Sequence, residues 1–131
     1  MIRFLIVGLG GFLGANARFY VGNWVAQRWG NALPYGTFVV NIAGCFVLGL
    51  FATLAVRFAW REEWRMLVAV GFVGGFTTFS TFEYETLQLI LEGRHGWAAF
   101  AYVLGSVVAG LLAAFLGVCA ARLLLLPFRS P

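Results

Sequence analysis

Positions 74 to 82 read Gly-Gly-Phe-Thr-Thr-Phe-Ser-Thr-Phe, inside a segment long and apolar enough to cross a membrane. Two helix-weakening glycines, four hydroxyls and three phenyl rings therefore fall at membrane depth. Lipid cannot hydrogen-bond an open backbone, so such a stretch lines a protein-buried site or a water path. Phe72, Phe76, Phe79 and Phe82 recur at helical spacing, which by itself is a packing pattern. The interleaved Thr77, Thr78, Ser80 and Thr81 change that reading. A phenyl ring has an electropositive edge. Ring edges, hydroxyls and amide N–H groups are weak donors that replace water around a small anion without trapping it. Conduction requires that compromise.

Other polar residues interrupt the apolar segments. Arg18 lies deep in the first, where a charge either snorkels to the interface or faces water and attracts anions at a vestibule. Asn41 follows Thr37 by one turn in the second. Its amide is either interhelical glue or a donor to an anion. Glu83 and Glu85 follow Phe82 and point to a water-filled mouth; the sequence identifies no arginine partner. Tyr102 and Ser106 share a face of the fourth segment, one turn apart. His95, beside Arg94, reads as a solvated loop residue.

Four helices are expected to position these groups. The chain is 62% hydrophobic and 11% charged, with a mean hydropathy of +0.90. A soluble domain carries about 25% charge. The spans are predicted at about 4–25, 35–59, 66–91 and 97–126, each reaching the ~20 residues a transmembrane helix needs. Short connections join them, and residues 1–131 read as a single four-helix membrane domain. Trp24, Trp29, Trp60, Trp64 and Trp97 fall near span ends, as interfacial anchors do. All nine basic residues are arginine and Asp is absent. The arginines are scattered at span ends without a basic face, which excludes nucleic-acid binding. Cys45 and Cys119 sit in separate apolar runs, with no neighbour at metal-ligand spacing.

Two N-terminal patterns mimic other things. Arg3, an apolar run and Ala15-Asn16-Ala17 imitate a signal peptide, but the run is glycine-rich and follows a single charge. Gly8-x-Gly10-x-x-x-Gly14 imitates a dinucleotide loop, but no acidic residue follows at the required distance. Gly10 and Gly14 instead form a face that lets another helix approach closely, and Gly105, Ala109, Ala113 and Gly117 form a second such stripe.

Together, three motifs closely resemble those of the Fluc (CrcB-like) fluoride channels. They are Gly10-Gly11-x-x-Gly14-Ala15-x-x-Arg18, then Gly36-Thr37-x-x-Val40-Asn41-x-x-Gly44-x-Phe46-x-x-Gly49. The third and most specific is Gly71-x-x-Gly74-Gly75-x-Thr77-Thr78-Phe79-Ser80-Thr81-Phe82. The resemblance covers essentially the whole chain.

The resemblance implies an all-α membrane protein, an antiparallel (dual-topology) dimer of four-helix subunits with two fluoride pores along the interface. It implies a third helix broken mid-membrane, the two breaks crossing at the dimer centre. A single structural Na+ would be held there by backbone carbonyls, here of Gly74 and Thr77. The pore phenylalanines would be Phe79 and Phe82, the pore asparagine Asn41, and the polar track Ser80 and Thr81. Tyr102 and Ser106 match the fourth-helix positions by spacing. Where some relatives carry a further hydroxyl one turn on, this chain has Gly110. Arg18 would shape a positive vestibule, and Glu85 lies on the track near one pore end. The function implied is passive export of fluoride from a prokaryotic cell, across its inner membrane, conferring fluoride resistance.

Topology carries a tension. With the N-terminus inside, Arg3, Arg57, Arg61, Arg65, Arg122 and Arg129 are inside, against Arg28 and Arg94 outside. The positive-inside rule then predicts one fixed orientation, whereas an antiparallel homodimer needs both. A homodimer is the favoured expectation, since the family pattern is complete in one chain; a heterodimer with an oppositely inserted paralogue is the alternative. Two rival functions stand beside this reading. A small multidrug-type exporter needs a membrane-embedded carboxylate to exchange protons for cations; the first span has none, and the only acids inside a span are Glu83 and Glu85. A non-transporting assembly subunit has no use for Asn41 or the Phe-hydroxyl cluster. An enzyme is not expected, because no nucleophile-base pair or metal cluster is present.

Overall fold

A computed structural model describes residues 1–30, 32–91 and 96–126. His95, Arg94 and Arg129 lie outside the described residues. Among the described residues all regular structure is helical: α1 (Ile2–Trp29), α2 (Tyr35–Arg57), α3 (Glu62–Arg65), a π-helix (Met66–Val73), α4 (Gly74–Phe76), α5 (Phe79–Leu91) and α6 (Gly96–Leu124). They make four membrane-crossing lengths, Ile2–Trp29, Tyr35–Arg57, Glu62–Leu91 and Gly96–Leu124. Three of these extend the expected spans slightly outward at one end or both. The chain is thus a multi-pass membrane protein in architecture.

The helix ends follow local chemistry. α1 stops at Gly30, whose φ of 76° and ψ of −175° suit only glycine, and whose N–H returns to Ala26 O at 2.9 Å. Pro34 lacks a donor and sits at the start of α2, where the N–H is dispensable. The long apolar runs between these stops are exposed rather than packed. Phe4, Phe12, Phe19, Leu111, Phe115 and the span-end tryptophans all present large surfaces. That is how a chain whose solvent is hydrocarbon distributes its side chains.

The fully buried side chains are small. Val25 and Val40 are the largest fully buried side chains. Without a hydrophobic drive between helices, close backbone approach has to hold the bundle. α1 lies against the π-helix and α4, and α2 lies against α6. A Cβ on Gly14 would strike Phe72 O and come within 2.8 Å of Phe76 N. A Cβ on Gly117 would strike Phe46 O and come within 2.8 Å of Leu50 N. The α6 stripe is only partly as expected. Ala113 and Gly117 are buried, but a Cβ at Gly105 would meet nothing within 4 Å, and Gly110 is the further buried glycine, facing Cys45. The 3.6-residue turn carries the contact face toward Gly110, away from a strict four-residue ladder.

At the end of the bundle near Arg3, exposed ion pairs join Arg3 to Glu62 and Arg61 to Glu63, each at 3.3 Å. The first links α1 to the start of the third span, and the second is local to that start.

Candidate functional site

The site forms where the third span leaves regular helix. Gly74 is itself helical, with φ −61° and ψ −36°. Thr77 is extended, with φ −81° and ψ 158°, and α5 resumes at Phe79. Up to this point the ladder is intact: Thr77 donates to Val73 O at 2.9 Å from both its N–H and its hydroxyl. Thr78 then departs from it. Its N–H donates to Asn41 Oδ1 at 2.8 Å, and its carbonyl accepts from Asn41 Nδ2 at 3.1 Å. Thr78 also caps α5, since its hydroxyl accepts the Thr81 N–H at 3.4 Å and lies 2.9 Å from the Thr81 hydroxyl.

Two further contacts complete the step. Arg18 Nη1 donates to Thr77 O at 3.4 Å. The Thr77 methyl fills the space where Gly44 has no Cβ. Arg18 is therefore half-buried and turned toward the step. Asn41 serves as interhelical glue, the first of its two readings. It has two amide hydrogens, and the Thr78 carbonyl takes one.

Beyond the step, Phe79 and Phe82 lie with ring centroids 5.8 Å apart at 42°. Phe82 in turn lies 5.2 Å from Tyr102. Phe72 and Phe76 stack as a separate pair on the other side of the step, so the four rings do not form one stripe. A cavity of ≈ 300 Å³ opens between Asn41, Thr77, Thr78, Phe79, Phe82 and Ser106. Ser106 Oγ is buried with no hydrogen-bond partner among the described residues. Ser80 and Thr81 are exposed on the outer side of α5.

Toward the bundle end, Glu85 accepts from Thr37 Oγ1 at 2.8 Å and from Tyr102 OH at 2.9 Å. Its partners are hydroxyls on α2 and α6, and among the described residues no arginine joins them. Glu85, Thr37 and Gln88 edge a second cavity of ≈ 340 Å³. A smaller one, ≈ 120 Å³, is lined by Arg18, Thr37, Thr78 and Thr81. Glu83 is exposed, with no hydrogen bond or ion pair among the described residues.

The structure thus gathers Arg18, Asn41, Thr77, Phe79, Phe82, Glu85, Tyr102 and Ser106 around one step and its flanks. Sequence reasoning passed over Thr37 as a site residue, although its four-residue spacing from Asn41 puts both on one face of α2. It also passed over Gly44 as the seat of Thr77, which no local pattern reveals. Chemically the arrangement binds and orients; among the described residues no group of three or more His, Cys, Asp or Glu could hold a metal.

Comparison with known proteins gives a consistent picture. The family described as "CrcB-like protein, Camphor Resistance (CrcB)" matches residues 5–118. The chain is 47% identical over 120 residues to the "Fluoride-specific ion channel FluC" of Chloroflexus aurantiacus, covering 90% of this chain and 94% of that one. It is 46% identical over 117 residues to the protein of that name from Acidobacterium capsulatum, covering 88% and 93%. With that of Oceanobacillus iheyensis it shares 44% over 119 residues, covering 90% of each.

Proposed function

Because the chain belongs to the CrcB-like family, we propose that it is a fluoride-selective channel that lets cytoplasmic fluoride leave passively across a prokaryotic inner membrane. The observation that carries this reading is the cavity beside the Thr77–Thr78 step. It combines an unpartnered buried hydroxyl, Ser106, with two phenyl rings and the remaining amide hydrogen of Asn41. No side chain lining that cavity carries a charge. Fluoride is small and holds its water tightly, so several close donors must replace that shell. Chloride is larger and does not fit the same donor spacing. Weak, uncharged donors let the ion leave again.

In this reading Phe79 and Phe82 are the pore rings and Asn41 and Ser106 the polar ligands. Ser80, Thr81 and Tyr102 extend the polar track. Arg18 supplies positive potential at the ≈ 120 Å³ cavity. Glu85 stands on the track near one pore end, where Thr37 and Tyr102 donate to its carboxylate.

The assembly is an antiparallel homodimer with two pores. Its support is the outer face of the step, where Gly74, Phe79, Ser80 and Thr81 are all exposed. Exposed hydroxyls are costly against hydrocarbon, and a second copy covers this face. The Na+ implied by the resemblance suits the same place. Thr78 N–H is given to Asn41, so the Gly74 carbonyl loses the donor that helical geometry would assign it. Free carbonyls of unwound helix coordinate such cations. Gly74 and Thr77 would provide oxygens from each copy, Thr77 sharing its carbonyl with Arg18. A bound Na+ would add positive charge that ties the two steps together.

Efflux from liposomes containing this purified chain tests the proposal, with chloride as control and Phe79→Ile alongside. Fast fluoride-selective efflux that the substitution abolishes supports the channel and shows that one chain suffices. Activity that appears only with a second, oppositely inserted chain makes the dimer a heterodimer. No efflux in either setting rejects the channel reading.

A further inference from the structure

We propose that Asn41 is the positioning residue that holds the third span open at Thr77–Thr78, and that by taking the Thr78 N–H it leaves the Gly74 carbonyl free for a cation. The cation part rests on the channel reading above; the brace does not.

Sharp interruptions of a membrane helix have few causes: proline, glycine or serine pairs, a π-bulge, or a side chain inserted into the hydrogen-bond ladder. No proline lies in the third span. The π-helix ends at Val73, before the step. The glycine pair is not the point of departure either, since Gly74 and Gly75 lie within α4 and Gly74 has ordinary helical angles. The ladder still holds at Thr77, whose N–H reaches Val73 O at 2.9 Å. It fails at Thr78, and that is the residue Asn41 grips. An uninterrupted helix would send the Thr78 N–H to Gly74 O. Asn41 Oδ1 intercepts it at 2.8 Å, and Asn41 Nδ2 returns a bond to Thr78 O at 3.1 Å. The side-chain amide pairs with the main chain in both directions, as a second peptide unit would.

The same α2 face backs the brace. Gly44, one turn after Asn41, receives the Thr77 methyl. A bulkier residue there would push the step away from α2 and break the pair of bonds. Asn41 therefore acts on the Gly74 carbonyl indirectly, by removing its donor.

The test compares the full-length wild type with Asn41→Leu, Thr78→Pro and the double variant Asn41→Leu/Thr78→Pro in lipid nanodiscs. Thr78→Pro has no N–H to return to Gly74, and proline favours an extended residue before it. That is the conformation Thr77 already has. Two readouts are taken: the ¹³C shifts of Thr77, which separate extended from helical backbone, and the rise in melting temperature when sodium replaces N-methylglucamine. In Asn41→Leu the Thr77 shifts are expected to move to helical values and the sodium-dependent rise to be lost. The double variant is expected to restore both. If Asn41 serves only as an anion ligand, Asn41→Leu loses fluoride efflux yet keeps both readouts, and the proposal is overturned. Should Asn41→Leu not fold, rescue decides: a double variant that folds and keeps the sodium response supports the brace, since proline then supplies what Asn41 did, and a double variant that stays unfolded rejects it. A wild type without any sodium response removes the cation part while the Thr77 shifts still decide the brace. A wild type without fluoride efflux removes the channel reading and touches neither readout.

Discussion

Phe79 and Phe82 sit one helical turn apart with centroids separated by 5.8 Å, yet Phe79 is 73% exposed and Phe82 only 7%. One ring belongs to the interior of the chain and the other is offered outward. Their substitutions should separate accordingly. Phe82→Ala empties packing against Tyr102 and costs about 3 kcal/mol, so denaturation should show a large loss of stability. Phe79→Ile should leave the fold of the chain unchanged while fluoride efflux falls at least about tenfold, equivalent to ~1.4 kcal/mol. Equal thermal losses for both would contradict this division.

Ser106 gives the opposite sign. Its hydroxyl is buried without a partner among the described residues, and an unmet polar group is a cost to the fold. Ser106→Ala should therefore leave stability unchanged or raise it by up to ~1 kcal/mol, while fluoride throughput drops. Melting curves and efflux on the same preparation check both halves.

The Glu85 carboxylate is shared by two donors on different helices. Thr37→Val and Tyr102→Phe should each cost about 1.5 kcal/mol, the lower end for a charge-assisted bond. Because they hold one carboxylate, the double variant should depart from additivity by ~0.5 kcal/mol or more. A strictly additive cycle in chemical denaturation would show that the two bonds act independently.

Glycines of α1 provide an internal control. Gly14→Ala drives a methyl into Phe72 O, whereas Gly8→Ala meets nothing within 4 Å. The first should prevent assembly of α1 on the third span. The second should be neutral or gain up to ~1 kcal/mol from helix propensity. Expression and melting temperature of the two variants distinguish them directly.

The four spans were legible because hydropathy integrates over twenty or more residues, and lipid leaves little room for other solutions. The Gly10–Gly14 face was legible for a related reason: a four-residue spacing of small residues has one use between helices. Gly105 misled for the converse reason, since spacing alone does not say which way a stripe points. The polar residues of the candidate site were visible too, because Asn41, Arg18 and Glu85 are costly in hydrocarbon wherever they point. Their partners were not. That Asn41 would spend itself on Thr78, or that Glu85 would choose Thr37 and Tyr102 over any arginine, depends on where α2 and α6 cross α5. A tertiary crossing leaves no mark in any local window of sequence.

A break in a membrane helix is ordinarily where the chain bends. Here the joint is locked from two neighbours at once, by Asn41 and the Gly44 socket on α2 and by Arg18 on α1. The halves of the third span thus behave as one rigid strut with an offset, and the offset is a fixture rather than a hinge. In the channel proposed above, ion passage along it requires no swing of the backbone, so the rate should rise with temperature as gently as diffusion past fixed donors, without the steep activation of a moving gate.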